Sequence, residues 1–181
     1  GRTTLGSATA DISVASLADK RYYMILHNHL DNGTAIRLGG RFNNDSGANY
    51  AERRSQNGGG DSTQVNATEL NITNAISSTD EWLGVHYISN LSAKEKLHQG
   101  HYVGHTSTGA GTAPTRVEFV GKWTNTSGVM NRFDIQRITG SGLANTGSEM
   151  VVLGWDPTDT HTTNFWEELA TTTISSAGEL D

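Results

Sequence analysis

Histidines, tryptophans and an oxygen-rich turn hold most of the chemistry that this sequence could offer. Three of the seven histidines fall at His98, His101 and His105, and two more at His27 and His29. A zinc site needs three or four ligands converging on one point. Side chains alternate in direction along an extended strand. His101 and His105 would therefore share a face, as would His27 and His29, while His98 would point away from His101. The spacing predicts polar strand residues that do not converge. Asn43, Asn44, Asp45 and Asn49 form an oxygen-rich cluster, with Asn43, Asp45 and Asn49 as calcium candidates. A tight calcium site gathers several carboxylates. This cluster has one, so a hydrogen-bonded structural turn is the preferred reading.

Catalytic constellations find little support. The chain has no cysteine, which excludes thiolate chemistry, Cys-ligated metals and a disulfide framework. No Gly-x-Ser-x-Gly elbow occurs. Glu167 and Glu168 are adjacent and point apart, a poor arrangement for flanking a glycosidic bond. Glu118 and Asp134 read as a cross-strand polar pair. The Gly-rich stretch Asn57 to Asp61 lacks the following Lys-Ser/Thr of a phosphate cradle. The expectation is a non-enzyme without a cofactor. Trp82, Trp123, Trp155 and Trp166 could line a sugar platform, because aromatic faces stack on apolar sugar faces. All four sit in apolar runs, and core packing is the preferred reading. Asn-x-Ser/Thr sequons at Asn32, Asn44, Asn66, Asn71, Asn90 and Asn125 are candidate glycosylation sites.

The elements that must position these residues read as strands. The 181 residues are 34% hydrophobic and 18% charged, with a net charge of −6. Disorder usually pairs low hydrophobicity with high net charge. Here Gly, Thr, Ser and Asn replace the apolar residues, which suits a sheet protein with many turns. Period-two patterns run through Thr9–Val14, Thr34–Arg41, Trp82–Ile88, Val117–Lys122 and Phe133–Ile138. Tyr22–Leu26 and Met150–Trp155 are continuously apolar and read as buried strands. Leu70, Ile72 and Ala75 mark a further short strand. Turn signals at Asp31-Asn32-Gly33, Asn43–Gly47, Gln56–Asp61 and Ser107–Pro114 separate the runs. The expected fold is all-β, a jelly-roll-like antiparallel β-sandwich over residues 1–163. Asn164–Ala170 is expected to form one short helical turn, capped by Asn164 with Glu167 three residues on.

The two ends match. Residues 3–12 read Thr-Thr-Leu-Gly-Ser-Ala-Thr-Ala-Asp-Ile, and residues 172–180 read Thr-Thr-Ile-Ser-Ser-Ala-Gly-Glu-Leu. Either two Ser/Thr-rich strands look alike by chance, or residue 172 begins a further module of a tandem array. The segment 164–181 is therefore expected to contact a neighbouring copy, with Thr172, Ile174 and Leu180 as assembly residues. The chain opens at Gly1 with its first methionine at Met24, which suggests processing or excision from something longer.

The stretch Ile36-Arg37-Leu38-Gly39-Gly40-Arg41-Phe42-Asn43-Asn44-Asp45-Ser46-Gly47-Ala48-Asn49-Tyr50-Ala51-Glu52-Arg53-Arg54 resembles a recurring domain in structural proteins of tailed viruses of archaea and bacteria. Leu17–Tyr23, Val120–Trp123 with Asn125-Thr126-Ser127, Val151–Gly154 and Phe165–Leu169 extend the resemblance over most of the chain. It implies a β-sandwich module, often in tandem, in a virion role such as capsid decoration, turret, fibre or tail. The expected function is a self-assembling structural module of a virion or other extracellular assembly. Its partners would be further copies of itself and other virion or surface structural proteins. A carbohydrate- or receptor-binding sandwich is the alternative, with glycans as partners. From Ile138 to Asp181 there is no Lys or Arg, and no basic footprint marks a nucleic-acid partner. No apolar run approaches membrane-spanning length, so membrane insertion is not expected.

Overall fold

The computed structural model of the protein describes residues 1–74, 81–105 and 107–159. The helical turn expected at Asn164–Ala170 and the assembly residues Thr172, Ile174 and Leu180 lie outside the described residues. So do Ala75, Trp166, Glu167 and Glu168.

Every element among the described residues is a strand. They are β1 (Arg2–Thr4), β2 (Asp11–Val14), β3 (Tyr22–Leu30), β4 (Ile36–Phe42), β5 (Tyr50–Gln56) and β6 (Ser62–Ala67). The chain continues through β7 (Leu70–Asn71), β8 (Glu81–Ser89), β9 (Lys96–Gly104), β10 (Thr115–Trp123), β11 (Phe133–Gly140) and β12 (Glu149–Trp155). An eight-stranded sheet has the order β1-β12-β3-β8-β9-β10-β5-β6, and a four-stranded sheet the order β2-β11-β4-β7. All pairings are antiparallel, and the chain is a β-sandwich.

The pairing is nested. β3 pairs with β12, β4 with β11, β5 with β10, and β8 with β9. A long hairpin folded over on itself gives this jelly-roll-like pattern. Here the innermost pair, β8–β9, joins the larger sheet, which makes the two sheets unequal.

Alternation decides which face each strand buries. On β8, Trp82, His86 and Ile88 point inward, while Leu83 and Tyr87 are exposed. On β10, Val117, Phe119 and Trp123 are buried, and Val120 is exposed. β3 was expected to be buried on both faces from its apolar run. It alternates instead, with Tyr23, Ile25, His27 and His29 buried and Tyr22 exposed, because among the described residues no layer covers the outer face of the large sheet. The small sheet supplies Ile12, Val14, Ile36, Leu38, Phe42, Phe133 and Ile135 from the other side. Phe42 sits at the centre, stacked on Trp123 with ring centroids 5.5 Å apart and meeting Phe133 edge-on at 5.4 Å.

Glycines on the inner face make room for rings on the next strand. Gly104 pairs across the sheet with Trp82, Gly84 with Tyr102, and Gly100 with Phe119. A Cβ at any of the three would fall inside its partner's ring. Each aromatic thus lies flat over its neighbour's backbone, a close approach that glycine permits.

Residues 1–14 strap the two sheets together. β1 is an edge of the large sheet, where Thr3 pairs with Met150, and β2 is an edge of the small sheet, where Ile12 pairs with Ile135. Between them Leu5 and Ser148 are joined by a backbone hydrogen bond of 2.9 Å, and Thr9 and Ala144 exchange two.

Candidate functional site

The turn between β4 and β5 is built on side-chain hydrogen bonds. Asn43 and Asn44 adopt positive φ of 53° and 56°, a conformation that Asn tolerates better than most residues. One carboxylate oxygen of Asp45 accepts from the Gly47 N–H at 2.8 Å. The other accepts from the Asn49 amide at 2.9 Å and the Trp123 indole at 2.7 Å. Asn43 points elsewhere, its oxygen accepting from the Asn131 and Arg132 N–H groups. The calcium candidates Asn43, Asp45 and Asn49 therefore spend their oxygens or donors on the turn and the adjoining loop. No group of three or more His, Asp or Glu side chains among the described residues is placed to hold a metal ion. Tyr50 anchors the turn, donating to the Asp45 carbonyl at 3.0 Å and accepting from the Phe42 N–H at 3.1 Å. Burial raises the pKa of the Asp45 carboxyl, but the hydrogen bonds from the Trp123 indole, the Gly47 N–H and the Asn49 amide outweigh it and hold the group below the usual range.

Inside the sandwich His86, which the spacing argument did not consider, links histidines of different strands, while His98 and His101 point to opposite faces of β9 as expected. His98 and His86 are joined at 2.9 Å, His86 and the Tyr102 hydroxyl at 3.2 Å, and that hydroxyl and His27 at 2.7 Å. Phe119 and Phe133 pack edge-on against His86 and His98. His27, His86, His98 and Tyr102 are at most 2% exposed, so no substrate reaches them. His29 is equally buried and finds no hydrogen-bond partner on either ring nitrogen among the described residues. Burial pushes the pKa of His29 down to about 4 and that of His98 to about 3. It also takes His27 and His86 well below the ordinary value, with neighbouring histidines adding to the effect. All four are neutral in the fold, and the network is a polar seam within an apolar core. His101 is exposed on the opposite face of β9, as alternation predicts.

The large sheet offers the accessible surface. Strand register lays two rows across its outer face. One runs Trp155, Tyr22, Ser89, Leu97, Lys122, Ala51, and the next runs Leu153, Met24, Tyr87, Gln99, Val120, Arg53. Val65 is 70% exposed, Leu97 58%, Val120 51% and Tyr87 46%. Together with Gln64, Gln99, Arg53 and Lys122 they line a shallow groove of about 940 Å³. At the end of the first row Tyr22 and Trp155 stack, with ring centroids 5.4 Å apart and planes 19° apart. The Arg21 guanidinium lies over the Tyr22 ring at 5.4 Å. Trp155 is 46% exposed, so it departs from the core placement expected for it, whereas Trp82 and Trp123 are core residues. Those two belong to β8 and β10, on either side of β9 in the large sheet.

Other candidates are dispersed. Glu118 lies beside Arg116 on β10, while Asp134 is on the other sheet and pairs with Arg132. Arg54 pairs with Glu52, Arg41 with Glu69 and Arg53 with Asp61. Among the sequons, Asn71 and Asn90 are corrected by burial, being 5% and 2% exposed. The Asn71 amide bonds Glu52 and Gln64, and the Asn90 side chain bonds the Lys20 carbonyl and the Met130 N–H. Neither can accept a glycan on the folded chain. Asn32, Asn44 and Asn66 are exposed, and Asn125 is half-buried with its oxygen bonded to Ser127.

No protein-family model, curated protein or solved structure matches this chain. No helix among the described residues is long and apolar enough to cross a membrane.

Proposed function

We propose that the chain is a non-enzymatic structural module that assembles with further copies of itself, docking through the outer face of the eight-stranded sheet. One observation carries the reading. Leu83, Tyr87, Leu97, Val103 and Val120 are 42–58% exposed on the outer face of three adjacent strands, β8, β9 and β10. Soluble monomers rarely leave a large contiguous apolar face in water. A second copy is a suitable occupant, because the charges around the face are neutralised within the chain. Arg53 pairs with Asp61, Lys122 with Glu95 and Arg116 with Glu118. Two copies can meet there without like-charge repulsion, and a two-fold contact buries the same patch twice. The resemblance to viral structural modules favours a virion surface or another extracellular assembly as the setting.

Sedimentation velocity over a concentration series tests this. The full chain is expected to associate, and Leu97→Asp combined with Val120→Asp to weaken association at least tenfold, which is about 1.4 kcal/mol. A chain that stays monomeric at the highest concentration would remove self-assembly through this face.

A second reading, a carbohydrate-binding module, draws on the Tyr22–Trp155 pair. It places an exposed aromatic surface at one end of the groove, whose lining further along the sheet carries the amides of Gln99 and Gln64 and the cations of Lys122 and Arg53. Such a mixture suits the apolar faces and hydroxyls of a sugar. Glycan-array binding that disappears with Trp155→Ala, in a chain that does not self-associate, would prefer it.

A further inference from the structure

We propose that residues 172–180 are a second occupant for the edge slot that residues 3–12 fill, so that one copy can be joined to another by exchanging this segment. The proposal deepens the self-assembly reading and rests on it.

The slot has defined requirements. Thr3 and Thr4 lie against Met150 and Glu149 of β12 through main-chain pairing, which any unbranched or β-branched residue can supply. Their hydroxyls add specificity, Thr3 donating to the Ser13 carbonyl at 2.6 Å and Thr4 to the Glu149 carboxylate at 2.7 Å. Leu5 packs on the core, and Ile12 is 2% exposed opposite Ile135. The slot thus reads Thr, Thr, aliphatic, a small-residue crossing, then an acid and a buried aliphatic.

Residues 172–180 present that pattern in that order. Thr172 and Thr173 correspond to the two hydroxyl donors, Ile174 to Leu5, and Glu179-Leu180 to Asp11-Ile12. The crossing is one residue shorter. Gly6, Ser7 and Ala8 are exposed where the strap passes between the sheets, so the difference falls where nothing is packed. Arg2, which pairs with Glu149, corresponds to Thr171, and an exposed ion pair of this kind contributes little.

The present occupant is also the easiest part of the large sheet to detach. β1 is three residues long and sits at an edge, with Arg2 and Thr4 exposed. Short edge elements open at lower free energy than central strands. An incoming segment of the same pattern restores the same hydrogen bonds, as in other cases of strand addition. The contact is heterologous, tail of one copy to edge of the next, so it propagates as a ring or a filament.

Two measurements test the idea on the full chain. In the first, residues 3–12 are replaced by Thr-Thr-Ile-Ser-Ser-Ala-Gly-Glu-Leu, and a control graft carries Asp at the Ile and Leu positions. The first graft is expected to melt within about 3 °C of the parent and the control at least about 10 °C lower. In the second, a Thr173→Cys chain is mixed with a Glu149→Cys chain under oxidising conditions. The absence of native cysteine makes the readout clean. A mixed disulfide is expected in excess of the homodimers that each variant forms alone. Matching melting points for graft and control, or no excess of mixed disulfide, would overturn the proposal. A face variant that leaves association unchanged while the mixed disulfide still forms would instead sink the sheet-face contact and keep the exchange.

Discussion

Lowering the pH from 7 to 5.5 is expected to destabilise the fold by about 5 kcal/mol, enough to unfold many domains of this size. The source is the set of four interior histidines. Desolvation lowers the pKa of His27, His29, His86 and His98 in the folded chain, to about 4 for His29 and about 3 for His98. In the unfolded chain each returns to its ordinary value near 6.5. Between 6.5 and the folded values, the unfolded chain takes up protons that the folded chain refuses. Stability is therefore complete above pH 6.5 and falls as the pH drops toward 4. Each histidine contributes on the order of 1 kcal/mol over the interval from pH 7 to 5.5. Buried Glu52 acts in the opposite sense, since desolvation raises its pKa and the folded form gains a proton on acidification. It is one group against four. Urea denaturation at the two pH values is the measurement. An unchanged midpoint would mean that the histidines are not buried neutral in solution.

Replacing Trp123 with Ala is expected to cost about 3–5 kcal/mol. The indole is 1% exposed and joins three parts of the fold. Its ring stacks on Phe42 at the centre of the small sheet, nearly parallel at 5°. Its N–H supports the Asp45 carboxylate at 2.7 Å, and hence the β4–β5 turn. The Lys96 ammonium lies 5.9 Å from the ring centroid. Truncation leaves a cavity in the core and removes one of the donors to the Asp45 carboxylate. Trp123→Phe keeps most of the ring and loses the indole donor, so it isolates that hydrogen bond at about 1–3 kcal/mol. An Ala variant as stable as the parent would show that the centre of the sandwich is packed differently.

Eight strands could be read from the sequence, β2 and β7 among them, and their physics explains why. β2, β4, β8, β10 and β11 bury apolar residues on one face, so burial and alternation mark the same positions, while β3, β7 and β12 were marked by their apolar residues alone. β9 was legible in neither way. Its inward set is Lys96, His98, Gly100, Tyr102 and Gly104, while Leu97 and Val103 point to solvent. The hydropathy pattern is inverted, because His98 and Tyr102 each hydrogen-bond His86 inside the core and glycines make space for rings from the neighbouring strands. Lys96 is buried with its ammonium donating to the carbonyls of Lys94 and Asn125. β5 and β6 were equally opaque, one rich in Glu and Arg and the other an edge strand with five exposed residues. The turn at Asn43–Gly47 was legible, since Asn, Asp and Gly announce positive φ and local hydrogen bonds. The chain of contacts from His98 through His86 and Tyr102 to His27 was not, because cross-strand register brings it about and no spacing within one strand encodes it. Trp155 was misplaced for a related reason. An apolar run cannot reveal whether a second layer covers its outer face.

The nested pairing also has a consequence in time. β8 and β9 are joined by a six-residue connection, whereas β3 and β12 are more than a hundred residues apart in the chain. Each outer pair closes a long loop unless the pair inside it has already formed, so the entropic cost falls stepwise from the centre outward. The β8–β9 hairpin is then the natural nucleus, and the β1–β2 strap is the last to dock. Folding dominated by such distant partners belongs to the slow class, milliseconds to seconds. Pulsed hydrogen exchange during refolding would report it as early protection of β8 and β9 amides and late protection of β12. Simultaneous protection throughout would speak for a single concerted collapse. A chain that closes its outermost layer last exposes its edges longest while it folds, and in a crowded assembly those are the moments when one copy is best placed to capture another.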